Sequence, residues 1–346
     1  MTDFSSFPIT LLLWYRDHAR QLPWRSDPTP YHVWISEIML QQTRVAAVLG
    51  YYQRFLQAVP TVHQLAELPE DELMKLWQGL GYYSRARNLQ KAAKQIVAQH
   101  GGLFPNTYEA IRALPGIGDY TAGAISSIAF GLPVPAVDGN VLRVMTRVWC
   151  DSGDITSAAT KKRITQRLEE WIPLSAPGAF NQALMELGAT VCLPNGAPVC
   201  DRCPVAEFCR AYQENRVSEF PFKPPKAPRR VETRTVFLLF HQNRVALRRR
   251  ESKGLLAGLW EYPNELDARL PDAWGLSPCS LTPVATGKHI FTHIEWHLTA
   301  LAGELSSPQL PEGWVWADRG ELAQTYAIPN AFSFADSALQ QRLGFF

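Results

Sequence analysis

Up to about residue 215 the apolar positions recur at intervals of three and four, as in Leu73, Leu76, Trp77 and Leu80, or Leu89, Ala92, Ala93 and Ile96. That is the period of an amphipathic helix. The pattern is interrupted at Pro60, Pro69, Gly101-Gly102, Pro105, Pro115, Pro133 to Pro135, Pro173 and Pro177, and breaks at such spacing predict many short helices. Phe220 to Val231 then holds four prolines among Lys223, Lys226, Arg229 and Arg230, the composition of an extended linker. Beyond it the period changes to two. Thr235 to Phe240 is a β-branched and aromatic run, His241 to Arg244 a turn, and Val245 to Arg249 an alternating second strand. The expected organisation is an all-α domain over 1–219, a basic proline-rich linker over 220–231, and a smaller α+β domain over 232–346.

A length of 346 residues suits two domains, and 46% hydrophobic with 19% charged residues excludes a disordered or fibrous chain. No stretch approaches the roughly 18 apolar residues of a membrane span. The early run Leu11 to Tyr15 stops at Arg16 and Asp17, so neither a membrane segment nor a signal-peptide core is expected. The net charge of +2 carries no message, but its distribution does: residues 223–253 hold 10 basic and 2 acidic groups, against 4 and 10 in residues 254–346. A basic stripe of this kind is either a phosphate footprint or a solvated linker. Six cysteines are too sparse for a disulfide scaffold, and four of them fall between Cys192 and Cys209.

Those four, Cys192, Cys200, Cys203 and Cys209, are spaced C-x7-C-x2-C-x5-C. One close pair with two wider gaps suits thiolates wrapped around a [4Fe–4S] cube better than the paired C-x2-4-C of structural zinc. Zinc and free thiols stay open as alternatives. Upstream, Leu114-Pro115-Gly116-Ile117-Gly118-Asp119-Tyr120-Thr121 lies between two helical segments. Here Gly116 and Gly118 permit a tight hairpin whose outward amides beside a helix start can bind a phosphate, although such glycines also make plain turns.

Two carboxyl groups stand out. Glu37 lies among Trp34, Ile38, Met39 and Leu40; on a solvated face it is an ordinary surface charge, but facing a cleft it would be desolvated into the range of a general acid. Asp138, in Val137-Asp138-Gly139-Asn140, reads as a turn or N-cap residue, and a cap's amides hold a carboxylate ionised. A protonated Glu37 facing an ionised Asp138 is the pair that cleavage of a glycosidic bond requires.

Together these features resemble the helix-hairpin-helix DNA glycosylases and, within them, the MutY adenine DNA glycosylases. The resemblance runs through Leu22-Pro23-Trp24-Arg25, Pro30-Tyr31, Val33-Trp34, Met39 to Thr43, Gly79 to Asn88, the hairpin at 114–123, Val137 to Val141 and the cysteine run. It implies two helical subdomains flanking a base-binding cleft, a [4Fe–4S] cluster, and hydrolytic removal of adenine opposite 8-oxoguanine or guanine in duplex DNA. It also implies roles for single residues. Glu37 protonates the flipped-out base, Asp138 stabilises the oxocarbenium-like sugar, Asn140 positions that aspartate or the water, and Tyr120 supports the same centre. Gln42 and Tyr82 match residues that wedge into the duplex, and Trp24, Arg25 and Leu40 match positions lining the adenine pocket, where Trp24 is equally readable as a core aromatic. Gly258 to Pro263 looks like the start of a Nudix box, but Asn264 to Leu276 lacks its glutamate-rich metal helix. The second domain therefore resembles the 8-oxoguanine reader, with Thr292 and His293 in the family's Phe-Ser-His loop.

Two departures are visible. Thr292 replaces Ser, keeping the hydroxyl, and the first cysteine gap is one residue longer than usual. Tyr120 stands where endonuclease III-like glycosylase/lyases carry a Schiff-base lysine, which a phenol cannot replace. Those enzymes, acting on oxidised pyrimidines, are the nearest alternative; a non-catalytic lesion-binding protein is the other. A monomer, without membrane association and in a bacterial-like cytoplasm, completes the expectation.

Overall fold

The computed structural model describes residues 4–225, 227–266, 271–278 and 280–344; Lys226 of the expected linker lies outside them. Contacts divide the chain into two compact units, Met1–Glu67 with Asn88–Pro225, and Leu68–Arg87 with Lys226–Phe346. Among the described residues no helix is long and apolar enough to cross a membrane.

The helical part runs α1 Phe7–His18, α2 Pro23–Ser26, α3 Pro30–Leu40, α4 Val45–Ala58, α5 Val62–Glu67, α6 Glu70–Trp77, α7 Ser84–His100, α8 Tyr108–Arg112, α9 Asp119–Phe130, α10 Gly139–Trp149, α11 Ala158–Glu169, α12 Pro177–Thr190 and α13 Arg210–Gln213. The short helices follow from their punctuation. Pro30 and Pro177 sit in the first turns of α3 and α12, where the missing N–H costs nothing. Asp138, Ser157, Thr107 and Thr29 accept hydrogen bonds as N-caps. Gly131 closes α9 in the left-handed conformation.

Three helices form the interior of the first unit. Val33 to Met39 of α3, Thr121 to Ser127 of α9 and Val141 to Trp149 of α10 are buried without a break, and a helix buried all round belongs in a core rather than at a surface. Around α10, a cluster including Phe7, Leu11, Val144, Met145, Val148, Ile164, Phe180 and Leu184 draws in α1, α11 and α12. Buried Asn181 fastens the loop before Asp138: its Nδ2 donates to the Val134 carbonyl and Ser127 Oγ at 2.8 Å each, and its Oδ1 accepts from the Ala136 N–H at 3.0 Å. The tail of this unit includes the first expected linker residues, since Arg147 Nε donates to the Phe220 carbonyl and the Ile155 N–H to that of Phe222.

In the second unit, β1 Arg230–His241, β2 Arg244–Arg249, β3 Trp260–Glu261, β4 Asn264–Leu266, β5 Thr282–Ile290, β6 Ile294–Glu304 and β7 Trp314–Ala317 form one sheet with the order β3-β2-β1-β6-β5. β4 also pairs with β1, and β7 with β2. β1 and β6 run parallel from Arg230↔Ile294 to Phe240↔Glu304, whereas β5 and β6 form an antiparallel hairpin. The continuous run Val236 to Phe240 is explained by burial on both faces: Val236, Leu238 and Phe240 face one cluster, Phe237 and Leu239 another. Helices α14 Arg319–Gln324 and α15 Asp336–Leu343 close the unit, α14 opening on an Asp318–Glu321 capping box.

One glycine sets the approach of the core to the loop that carries Asp138. A Cβ on Gly123 would lie 2.2 Å from the Pro135 carbonyl oxygen, a backbone atom with little room to yield. Gly123→Ala is expected to destabilise the protein by roughly 1–3 kcal/mol, read as a lowered thermal midpoint; an unchanged midpoint would mean that the loop gives way freely.

Candidate active site

A cleft of about 1820 Å³ in the first unit is lined by Trp24, Arg25, Glu37, Leu40, Gln42, Gly118, Tyr120, Asp138 and Asn140. Nine of the residues singled out in the sequence thus share one cavity. Glu37 projects from the buried helix α3 and is only 5% exposed. The Tyr120 hydroxyl, from the first turn of α9, donates to Glu37 Oε2 and lies 3.4 Å from Met185 Sδ. Burial pushes the Glu37 carboxyl up from its ordinary 4.5 to about 7; the nearby Asp138 charge raises it further, while Tyr120 and Arg25 oppose. Burial likewise holds the Tyr120 phenol well above its ordinary range, so it is a hydrogen-bond donor and not a base.

Asp138 caps α10, accepting the Val141 N–H at 2.8 Å and Asn140 Nδ2 at 2.7 Å. These bonds do not dominate as the sequence suggested. Burial raises the Asp138 carboxyl, and the Val141 and Asn140 bonds pull against it. Asn140 is itself fixed, because its Oδ1 accepts Arg143 Nη2 at 2.9 Å. Buried Arg143 continues to the Gly188 carbonyl at 2.7 Å and the Cys192 carbonyl at 2.8 Å. Gly188 makes the approach possible: a Cβ there would meet Asn140 Cβ at 2.6 Å.

Glu186 was not singled out in the sequence. It lines the same cleft from α12 and is fully buried. Arg20 Nε donates to Oε1 at 2.6 Å and Arg25 Nη2 to Oε2 at 2.8 Å. Burial would raise this carboxyl, but the hydrogen bonds from Arg20 and Arg25 more than offset it and leave it below its ordinary value. Arg25 is therefore the partly exposed half of an ion pair with buried Glu186 at the cleft wall. Trp24 serves both readings, lining the cleft while packing edge-on against Tyr52 at 5.2 Å.

The hairpin glycines are exposed. Gly116 takes the left-handed φ of 77° and packs over Asn88, while Gly118 is the N-cap of α9. Gln42 is exposed with φ 58° and Tyr82 with φ 46°, conformations that cost strain in a residue with a side chain. In the second unit the Tyr82 hydroxyl lies 3.2 Å from Thr292 Oγ1. Thr292 and the exposed His293 sit at the tip of the β5–β6 hairpin, whose Phe291 packs against Trp296 and accepts Arg229 Nε at its carbonyl. Five of the ten basic groups of the stripe are paired with carboxylates. Arg230 and Arg234 pair with Glu232, Arg248 and Arg250 with Glu261, and Arg249 with Asp71.

Cys192, Cys200, Cys203 and Cys209 line a single small cavity with Arg147, Val148 and Leu187. Arg147 Nη1 lies 3.1 Å from Cys192 Sγ. Burial pushes the Cys203 thiol up to about 12 and that of Cys209 to about 11, so bare thiolates are unfavourable there without a cationic partner. Among the described residues no three His, Cys, Asp or Glu side chains are grouped to hold a single metal ion.

This geometry, a hairpin-bearing helical fold with a capped aspartate and a desolvated glutamate in one cleft, is that of a base-excision DNA glycosylase. Residues 35–174 match the HhH-GPD superfamily of base excision DNA repair proteins and residues 235–333 match the NUDIX domain. The helical part is similar to the structure of a thermostable thymine-DNA glycosylase (TM-score 0.54, 28% identity, 60% of this chain and 95% of that one). Against the adenine DNA glycosylase of Rattus norvegicus the chain is 36% identical over 405 residues, covering 96% of this chain and 78% of the rat protein. Against that of Mus musculus it is 39% identical over 316 residues, covering 76% of this chain but 61% of the mouse protein. The chain belongs to the adenine DNA glycosylase family, enzymes of base excision repair.

The position of Glu37 has a consequence for stability. The folded carboxyl titrates above the unfolded one, so both forms are protonated below about pH 4, and the folded state alone keeps the proton as pH rises toward 7. Stability falls across that window, by on the order of 3 kcal/mol for a shift of this size. Glu37→Gln, which carries no charge, should therefore gain on the native protein between pH 5 and 8 in denaturant titrations. A difference independent of pH would contradict the desolvated carboxyl.

Proposed function

We propose that this protein removes adenine lying opposite 8-oxoguanine, or opposite guanine, in duplex DNA, by hydrolysis of the N-glycosidic bond. The observation that carries the reading is the convergence of Glu37, Tyr120 and Asp138 in one cleft, with Glu37 titrating near 7. The target atoms are inaccessible in stacked duplex, so the base must be extruded into the cleft.

Glu37, raised by burial so that its protonated form is accessible near neutral pH, donates to a purine ring nitrogen. The C1′–N9 bond then breaks with its electron pair leaving on the base, and the sugar becomes oxocarbenium-like. The Asp138 carboxylate, whose charged form accepts the Val141 and Asn140 bonds, stabilises that cation. Water adds at C1′ and gives up its proton to the Glu37 carboxylate, restoring the acid; adenine and an abasic site are the products. Tyr120 keeps Glu37 aimed by its hydrogen bond. Arg25 and Glu186 offer donors and an acceptor at the cleft wall, the kind of polar frame that orients a flat base. At position 120 a phenol cannot form the Schiff base of a lyase, which disfavours the glycosylase/lyase reading.

Gln42 and Tyr82, presented on strained backbone, suit the space left in the duplex, and the amides at Gly116 and Gly118 suit a phosphate. Thr292 and His293 suit the edge of the oxidised base. The four cysteines fit a [4Fe–4S] cluster: all four line one cavity, and the burial that raises the thiols of Cys200, Cys203 and Cys209 would be offset by coordinated cationic iron. There the cluster would tie together the loop from Cys192 to Cys209, whose backbone reaches Asn140 through Arg143.

Two measurements follow. Glu37→Gln and Asp138→Asn should each lower single-turnover adenine release by at least about a hundredfold while duplex binding persists; wild-type rates in either variant would remove that residue from the mechanism. The purified protein should contain about four irons per chain with inorganic sulfide, and stoichiometric zinc in place of iron would contradict the cluster.

A further inference from the structure

The family match over 35–174 includes residues 68–87, yet by contacts this segment groups with the sheet of the second unit. Specific bonds account for it. From α6, the partly buried Lys75 ammonium donates to the Leu322 carbonyl at 3.0 Å and the Tyr326 carbonyl at 3.1 Å. Gln78 Nε2 donates to the Ile328 carbonyl at 3.0 Å. Those acceptors lie on and just after α14. On the far side of the turn, Arg87 Nη2 donates to the Ala257 carbonyl at 2.5 Å and Nε to Glu70 at 2.7 Å.

Between these anchors runs Gly79 to Tyr83. Gly79 and Gly81 take positive φ freely, but Tyr82 is strained at its φ of 46°. Trp77 and Arg85 brace the Gly81 carbonyl from within the segment, and the Tyr82 side chain itself is held from outside. At the tip of the turn, an aromatic ring that is 45% exposed meets the Thr292 hydroxyl. Three separate parts of the sheet domain therefore hold the segment from Lys75 to Arg87: the α14 region and the Ala257 loop grip its two ends, and the β5–β6 hairpin meets the turn itself at Tyr82.

We propose that Lys75 and Gln78 are positioning residues: through the carbonyls of Leu322, Tyr326 and Ile328 they let the sheet domain hold the Gly79–Tyr83 turn, and so fix Tyr82 against Thr292 before DNA binds. The functional consequence rests on the reading of Thr292 and Tyr82 given above. With the turn loosened, chemistry at Glu37 and Asp138 is untouched, but discrimination between 8-oxoguanine and guanine opposite the adenine weakens.

The test uses the full-length protein with Lys75→Met and Gln78→Leu made separately, and Lys94→Met as a charge control outside the second unit. Hydrogen exchange without DNA is read first. Both variants should speed exchange in peptides spanning 79–83 and 291–293 by about tenfold or more, with α10 unchanged; the control should match the native protein. The ratio of adenine-release rates opposite 8-oxoguanine and guanine should then fall several-fold, the rate opposite guanine being retained. Unchanged exchange at 79–83 overturns the anchoring. Faster exchange with an unchanged ratio, even with a lowered melting point, reduces both residues to structural supports. If the native protein releases no adenine, the functional reading fails, while the exchange data still decide the anchoring.

Discussion

Taking a carboxyl group out of water is the constraint around which the cleft of Glu37 is arranged. Glu37 comes from a helix whose residues 33–39 are all buried, so its side chain has no route to solvent except the cleft. Left alone it would be a neutral acid of little use, since an acid must also be able to give up its proton. Tyr120 supplies a hydrogen bond to the charged form and Arg25 a favourable field, whereas Asp138 supplies an unfavourable one. The balance lands near neutrality, where the protonated acid and its conjugate base are both accessible.

The aspartate presents the same problem solved by backbone. Burial raises Asp138 too, but it is an N-cap, so the Val141 amide and the Asn140 side chain bind the charged form. Asn140, Arg143 and the carbonyls of Gly188 and Cys192 form one chain of hydrogen bonds. The cysteine loop and the Asp138 cap are thereby parts of a single polar framework inside an otherwise apolar core. Two glycines, Gly123 and Gly188, let backbone approach closely enough for that framework to close.

Much of this was legible in the sequence because it is local. The cysteine spacing, the hairpin glycines, the aspartate before α10 and the apolar surroundings of Glu37 each occupy a few consecutive residues, and the change of period at Thr235 announced the sheet. What escaped depends on distant partners. Glu186 is held by Arg20 and Arg25, more than 160 residues away, and within α12 it has no pattern that separates it from a surface glutamate. The sequence left the basic stripe open between a phosphate footprint and a solvated linker; the pairing of Arg248 and Arg250 with Glu261 and of Arg249 with Asp71 depends on residues distant in the chain. Residues 68–87 are helical in period and lie within the match to the helical family; that their contacts group them with the sheet depends on distant partners. The pull of burial on Asp138 was likewise invisible, because an N-cap motif reveals the bonds that favour charge but not the depth at which they operate.

The central claim is that burial brings Glu37 into the neutral range, and the most direct measurement is a pH titration of its carboxyl carbon. Protein labelled with ¹³C at glutamate Cδ would be compared with Glu37→Gln to assign the resonance. The account expects a midpoint near 7, well separated from the other glutamates. A midpoint in the ordinary carboxylate range, near 4, would contradict it and leave the cleft without its acid.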